Sequence, residues 1–297
     1  MRRSLSRARG AWRGLLADSN MMVAAAARAL RLGAIAAGLT PKDVALVTAG
    51  GGRLASGLFS EVASVIGFLD HFDRRRDCYA GIVVDFCDGL YLDPAAGPNW
   101  WNYYFQPIAI GSREPARPIG HAYHDLCARR VERGMTRARG AELVSRFIAP
   151  AAAVETAVND FVRAHWSDQV IGVHYRGTDK SVDAPRVAYP DVEIAIRQRM
   201  SSDGCRIFVA TDEQGFVDYM QQRFPERVLS RPMFRSSDGR PIDIVNADGN
   251  FTKGFDAVVD CLLLSRTHSL VRTASNLSLC ATFFNPRLPS VILNPER

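Results

Sequence analysis

The chain has 297 residues, of which 47% are hydrophobic, and its 23 Gly and 15 Pro are spread along it. This composition is typical of globular proteins and excludes a disordered, collagen-like or coiled-coil protein. The length allows one large domain or two smaller ones, each able to bury a substantial core. Residues 1–40 contain seven Arg and one Asp, so they carry the whole formal net charge of +6. The rest of the chain is neutral, and we predict no nucleic-acid partner.

The six cysteines are widely spaced and form no CxxC pair or Cys/His cluster, unlike a disulfide framework or a zinc site. Most lie in apolar runs and are predicted to be buried thiols, which suits a reducing compartment. No apolar run approaches the roughly 20 residues that a transmembrane helix needs, and the pattern of a signal peptide is missing. We therefore expect a soluble, cytoplasmic protein. Residues 1–40 are expected to form a poorly ordered or helical extension, with a transit peptide or an over-long start as alternatives.

After this extension, short β-branched runs alternate with longer amphipathic segments, a pattern typical of a βαβ architecture. Residues 44–48 and 80–85 are predicted strands, and residues 57–70 have apolar positions at helical spacing. Residues 89–118 are rich in Pro, Gly and aromatic residues, which indicates a long ordered loop of the kind that is more often functional than a spacer. Helical periodicity returns over residues 121–164.

The second half repeats the alternation more clearly. Strands are predicted at residues 170–175, 206–210, 228–229, 269–272 and 291–293, and helices at residues 191–200, 214–223, 254–265 and 275–284. Two α/β halves joined by helices predict two Rossmann-like domains, residues 41–164 and 165–297. Ligands of such sheets bind at the carboxyl ends of the strands, so functional residues are expected there.

A glycine loop follows the first predicted strand. Gly50, Gly51 and Gly52 open a helix, where backbone N–H groups can face a phosphate or a sugar. The dinucleotide fingerprint fails because Ala55 stands where its third Gly belongs, and this disfavours an oxidoreductase. The Walker A pattern fails as well. A tight turn without a ligand is the alternative, but we predict that the loop lies on the ligand cleft.

The densest polar cluster comes directly after the predicted strand 170–175. Alternation along that strand places His174 and Arg176 on one side, and Asp179 and Lys180 lie past its end. A guanidinium fork together with a lysine can neutralise a diphosphate, because Arg offers two parallel donors and Lys adds a mobile point charge. The alternative is a solvated loop of ion pairs.

Further polar residues lie at other strand ends and in the helices beside them. Asp212 ends the strand 206–210, and Asp260 lies within an apolar helical run, where an unpartnered carboxylate would be costly to bury. Asp260 therefore meets a donor, which is either a ligand or an arginine of this chain. Ser275 and Asn276 begin a helix whose free N–H groups suit an anion, although an ordinary N-cap explains Ser275 equally well.

These segments resemble a known family. Residues 172–180, 209–212, 258–260 and 273–276 resemble, in order and spacing, the motifs of the GDP-fucose-dependent fucosyltransferase superfamily. That superfamily contains the nodulation and core α1,6-fucosyltransferases and the protein O-fucosyltransferases. The resemblance covers the second half of the chain well and the first half only through the glycine loop.

The resemblance implies a GT-B fold, with residues 41–164 on the acceptor side and residues 165–297 on the GDP-sugar donor side. The implied reaction is an inverting, metal-independent transfer of L-fucose from GDP-fucose to a glycan or protein acceptor. It implies that Arg176 contacts the β-phosphate and that His174 and Asp260 bind the guanine. The remaining implied donor contacts are Asp179, Lys180, Asp212, Ser275 and Asn276. No other cofactor is implied.

The chain departs from the family pattern at three places. Gly177 stands where relatives often have a second Arg, and Ser60-Glu61 replaces the Asn or Gln usual after the glycine loop. The acid proposed as the base in some relatives is represented only by Asp183, one position out of register. The chain contains no Asp-x-Asp pair to hold a metal, so Arg176 and Lys180 would have to neutralise the diphosphate. A nucleotide-sugar-binding protein without transferase activity is the alternative function.

Overall fold

The computed structural model describes residues 2–49, 57–119, 121–167, 169–177, 185–201, 204–240 and 249–294; side chains are described from residue 19 on, except those of residues 121 and 122. The elements, in chain order, are α1 (Arg2–Ala36), β1 (Asp43–Val47), α2 (Leu58–Arg74), β2 (Tyr79–Val84), α3 (Trp101–Tyr104), β3 (Ala109–Gly111), β4 (Ala116–Pro118), α4 (His121–Gly134), α5 (Arg137–Phe147), α6 (Ala152–His165), β5 (Val170–Tyr175), α7 (Tyr189–Arg197), β6 (Arg206–Thr211), α8 (Gln214–Arg223), β7 (Val228–Leu229), α9 (Asn250–Ser265), β8 (Ser269–Arg272), α10 (Asn276–Phe284) and β9 (Ser290–Ile292). This is a mixed α/β fold with parallel sheets, as the sequence predicts.

The chain divides into two compact units. The first consists of Met1–Ser56, Ser60–Gly89 and Pro107–Gly134, and the second of Gly57–Phe59, Leu90–Gln106 and Met135–Arg297. The sequence predicted a boundary at residue 164, whereas residues 135–164 cluster with the second unit. Arg137 of α5 illustrates why, since its Nη1 donates a hydrogen bond to the Leu288 carbonyl at 2.8 Å. The division of the chain into an acceptor side and a donor side stays a prediction.

The first unit is built on the sheet β3-β2-β1-β4. Strand β1 pairs in parallel with β2 and β4, and β3 lies antiparallel on the edge of β2. Helix α1, expected to be poorly ordered or helical, is helical here and buries Met21, Leu32 and Ile35. Arg28 of this helix donates a 2.8 Å hydrogen bond from Nη2 to the Tyr79 hydroxyl.

The second unit is built on the parallel sheet β7-β6-β5-β8-β9. Strand β5 lies between β6 and β8, and all of its residues are buried. Because it is covered on both faces, its sequence reads as a nearly continuous apolar run rather than an alternating one. Strands β6 and β7 lie on one side of β5, and strands β8 and β9 lie on the other. The strand order therefore reverses between β5 and β8.

The aromatic segment, residues 90–106, belongs to the core of the second unit. Trp100, Trp101 and Phe105 are almost completely buried. Tyr104 is also buried and donates a 3.0 Å hydrogen bond to the Phe251 carbonyl at the start of α9. This part of the predicted loop 89–118 thus helps to anchor helix α9.

Two further predicted segments divide into smaller elements. The helical periodicity over residues 121–164 corresponds to the three helices α4, α5 and α6, and Thr136 caps α5 by accepting a hydrogen bond from Arg139 N at 3.2 Å. The predicted loop 89–118 contains α3, β3 and β4, elements too short to leave a periodic pattern.

Most predicted buried thiols are found: Cys78, Cys127, Cys205, Cys261 and Cys280 are buried, whereas Cys87 is exposed. Within the described ranges, no helix is both long and apolar enough to cross a membrane.

Candidate functional site

The carboxyl ends of β5, β6 and β8 form one edge of the parallel sheet. The residues that follow these strands are Arg176, Asp212 and Thr273, and the structure brings them into direct contact. The backbone N–H of Arg176 donates to Thr273 Oγ1 at 2.9 Å, which bridges β5 and β8 where the strand order reverses. This is the place at which open α/β sheets bind ligands.

Arg176 is held by Asp212. Its Nε lies 3.2 Å from Asp212 Oδ2, and the other carboxylate oxygen accepts a 3.1 Å hydrogen bond from Gly177 N. Asp212 is only 3% exposed, whereas the Arg176 side chain is 24% exposed. The buried carboxylate therefore fixes a guanidinium that solvent, or a ligand at this edge, can reach. Sequence analysis selected both residues, but only the structure shows that they form a pair.

His174 lies at the end of β5 and is 5% exposed. Burial, together with the charges of Arg176 and Arg272, lowers the pKa of His174 to about 3, so the ring is neutral at physiological pH. Its Nδ1 has no hydrogen-bond partner among the residues that the structure describes. Buried polar atoms normally have a partner, so this nitrogen has the capacity to bind one more group.

Asp260 of α9 is buried and paired with an arginine of this chain. Arg231 Nη1 lies 3.3 Å from Asp260 Oδ1, and Arg231 Nη2 lies 2.6 Å from Asp256 Oδ1. This intrachain pairing is one of the two alternatives that the sequence left open. Burial raises the pKa of Asp260 to about 6, although the charge of Arg231 opposes the shift. Two carboxylates share one guanidinium here.

Arg231 and Asp256 are residues that sequence reasoning missed. Arg231 follows the short strand β7, in a segment with no motif, and Asp256 lies on the same helix as Asp260. The one available signal was the spacing of Asp256 and Asp260, since residues four apart lie on the same face of a helix. Nothing local identifies their common partner.

Glu213 was also missed. It follows Asp212, is 6% exposed, and accepts hydrogen bonds from Arg186 Nη2 at 2.9 and 3.1 Å and from the Tyr189 hydroxyl at 2.8 Å. The signal in the sequence was the pair of adjacent acids, Asp212 and Glu213, at the end of β6. These two carboxylates bind different partners: Asp212 contacts Arg176 and Gly177, whereas Glu213 binds the two residues named above.

Ser275 is the N-cap of α10 and accepts a 3.2 Å hydrogen bond from Leu277 N. The ordinary capping role that the sequence allowed is therefore filled. Asn276 begins the helix immediately afterwards. Ala274 N donates to Asn294 Oδ1 at 2.8 Å, which ties this turn to the segment after β9. The helix start lies at the same edge of the sheet as Arg176, because α10 follows β8.

Several predicted site residues lie outside the described residues, so the structure does not test their roles: Gly50, Gly51, Gly52, Asp179, Lys180 and Asp183. In the part of the chain that is described, no group of three or more His, Cys, Asp or Glu side chains could hold a metal ion.

The chain is similar in structure to solved fucosyltransferases. A NodZ α-1,6-fucosyltransferase soaked with GDP-fucose is 18% identical with a TM-score of 0.56, and the match covers 83% of this chain and 94% of that one. The fucosyltransferase NodZ from Bradyrhizobium is 16% identical with a TM-score of 0.55, covering 85% and 96%. A variant of Arabidopsis thaliana FUT1 in complex with GDP is 11% identical with a TM-score of 0.52, covering 85% and 71%.

The chain has the fold of these solved fucosyltransferases. The resemblance inferred from the motifs is thereby confirmed at the level of the fold. No protein-family model and no curated protein sequence matches the chain.

Proposed function

We propose that the chain is an inverting glycosyltransferase that transfers L-fucose from GDP-fucose to a glycan or protein acceptor without a metal ion. The observation that carries the proposal is the position of Arg176, which Asp212 and Thr273 fix at the switch point of the parallel sheet. The fold shared with NodZ supports the choice of donor. A GT-B arrangement of two Rossmann-like domains is part of the same proposal.

Arg176 would stabilise the leaving diphosphate. As the glycosidic bond breaks, negative charge accumulates on the GDP, and a fixed cation stabilises this charge more in the transition state than in the ground state. The ion pair with Asp212 orients the guanidinium in advance, so little reorganisation is needed when the charge develops. Lys180 is proposed as a second cation, and Asp179 as a further donor contact.

The guanine would be bound by His174 and Asp260. A neutral, buried imidazole can form one hydrogen bond to a base edge without the cost of burying a charge. A carboxylate can accept from both the ring N–H and the exocyclic amine of guanine, a paired geometry that adenine and uracil do not offer. Arg231 supports Asp260 in this role, because its charge favours the ionised form that accepts both bonds.

The start of α10, at Ser275 and Asn276, would hold the diphosphate through its N–H groups, since helix N-termini favour anions. The loop Gly50–Gly52 would line the ligand cleft. Asp183 is proposed as the base that removes the acceptor proton.

A nucleotide-sugar thermal-shift panel tests the donor class. GDP and GDP-fucose should raise the melting temperature, while UDP, CDP and their sugars should leave it unchanged. Slow release of free fucose from GDP-fucose without acceptor should then be detectable by chromatography. Stabilisation by GDP-fucose without any release, even with a broad set of acceptors, would favour a binding protein without transferase activity.

A further inference from the structure

After β5 ends, the chain comes back to the carboxyl end of that strand before α7 begins. Arg186 Nη1 donates to the Gly177 carbonyl at 3.3 Å, although the two residues are nine positions apart. The hydroxyl of Tyr175, the last residue of β5, donates to the Val187 carbonyl at 2.9 Å. The two ends of the segment that joins β5 to α7 are therefore bonded to each other.

Glu213 contacts both ends of this segment. At the returning end it accepts three hydrogen bonds, two from Arg186 and one from Tyr189. At the leaving end its carboxyl carbon occupies the space next to Gly177, where an added Cβ would lie only 2.3 Å away. Gly177 thus has no side chain because the Glu213 carboxylate fills that position.

The Arg186–Glu213 pair has the properties of a geometric constraint. Glu213 is almost completely buried, and one nitrogen of Arg186, Nη2, binds both of its carboxylate oxygens. Arg186 is more than half exposed, so the costly change is to remove Arg186, which leaves the buried Glu213 carboxylate without its cation. The constraint therefore depends on both residues together.

We propose that Glu213 and Arg186 form a positioning pair that fixes the end of β5 at Arg176 and Gly177. This inference rests on the proposed function for its choice of ligand. Neither residue is assigned a contact with the donor. They act through Gly177, the neighbour of Arg176, and so they determine how tightly the diphosphate is bound.

The test is a double-mutant cycle with GDP as the probe. Glu213→Gln and Arg186→Gln should each raise the dissociation constant for GDP about tenfold, measured by titration calorimetry. The double variant should be no worse than either single variant, because the pair acts as one unit. Effects that multiply in the double variant, or single variants that bind GDP as the wild type does, would overturn the proposal. If Glu213→Gln does not fold, Tyr189→Phe removes one of the three bonds and should raise the same constant about threefold.

Glu193 offers a matched control. It is a buried glutamate of the same unit that binds Arg197, Arg223 and the Tyr219 hydroxyl between α7 and α8. Glu193→Gln should lower the melting temperature about as much as Glu213→Gln but leave GDP affinity unchanged. An equal loss of GDP affinity in both variants would mean that Glu213 is merely structural.

Hydrogen exchange separates failure of this proposal from failure of the proposed function. The peptides that contain Gly177 and Val187 should exchange at least tenfold faster in Glu213→Gln than in the wild type, with no ligand present. If the wild type does not bind GDP, the proposed function is wrong, and the exchange rates still show whether Glu213 holds the end of β5. Unchanged exchange in both peptides would overturn the positioning role regardless of the ligand.

Discussion

Arg176 and Asp212 follow neighbouring parallel strands and are joined by an ion pair, with 3.2 Å between Arg176 Nε and Asp212 Oδ2. The same carboxylate accepts a hydrogen bond from Gly177 N, so one buried side chain fixes both the backbone and the guanidinium at the end of β5. A cation held in this way is preorganised for charge that develops next to it. The consequences are measurable.

Replacing Arg176 should affect catalysis more than binding. Arg176→Ala should lower kcat by about 10³-fold, within the range for the loss of one preorganised charge-stabilising group. Arg176→Lys should recover little, because a point charge on a flexible stem does not reproduce the fork. Steady-state kinetics with GDP-fucose measure both, and a circular dichroism melt checks folding. A normal kcat with only a raised KM would make Arg176 a ground-state binding residue.

Asp260→Asn should weaken GDP binding by about 2 to 3 kcal/mol, because the amide cannot accept both guanine hydrogen bonds and leaves a buried donor mispaired. UDP binding should stay as poor as before. The control is Asp256→Asn, which removes the other carboxylate bound to Arg231 and should leave base selectivity unchanged. Equal losses for GDP and UDP in calorimetric titrations would assign Asp260 a structural role only.

The pH dependence of GDP binding should follow Asp260. Its pKa is raised to about 6, and guanine binding needs the ionised form, so the GDP dissociation constant should rise as pH falls through 6. The phosphate of GDP also titrates at roughly pH 6, but this contribution is common to the wild type and Asp260→Asn. The GDP dissociation constant of Asp260→Asn divided by that of the wild type should therefore decrease as the pH falls from 7.5 to 5. A constant ratio contradicts the prediction.

Activity should not require a divalent cation. The sequence contains no Asp-x-Asp pair, and under the proposed function Arg176 and Lys180 neutralise the diphosphate. Turnover in excess EDTA should stay within a few-fold of the untreated rate. Loss of activity that added Mn²⁺ or Mg²⁺ restores would show that a metal is used.

In the first unit, His124 and Glu61 should stabilise the fold in a pH-dependent way. His124 Nε2 lies 3.1 Å from Glu61 Oε2, and both side chains are buried. Burial lowers the pKa of His124, but the carboxylates of Asp125 and Glu61 outweigh this and raise it to about 9. Because the folded-state pKa lies above the ordinary value of 6.5, the stabilisation is complete below pH 6.5 and is lost as pH rises through 9.

The rise of the His124 pKa from 6.5 to about 9 corresponds to a stabilisation of the folded state by about 3 kcal/mol. His124→Gln should therefore melt well below the wild type at pH 6, and the difference should shrink by pH 10. Thermal melts across this range measure it. A difference that is independent of pH would show that His124 contributes by packing alone.

The sequence by itself determined most of the elements from residue 170 on. Strand β5, helix α8 and strand β8 have the bounds predicted for them, because buried parallel strands read as apolar runs and their helices repeat every 3.6 residues. It also placed Arg176 and Asp212 at strand ends. These properties are local, and a few consecutive residues are enough to encode them.

The tertiary structure alone decided the partners. Asp260 meets Arg231, and Glu213 meets Arg186, across 29 and 27 positions of sequence. The aromatic segment joins the core of the second unit through Tyr104 and the start of α9. Such contacts depend on which faces of the helices and sheets pack together when apolar surface is buried. Charged side chains then pair with the oppositely charged groups that this packing places nearby. No periodic pattern in a single sequence records that outcome.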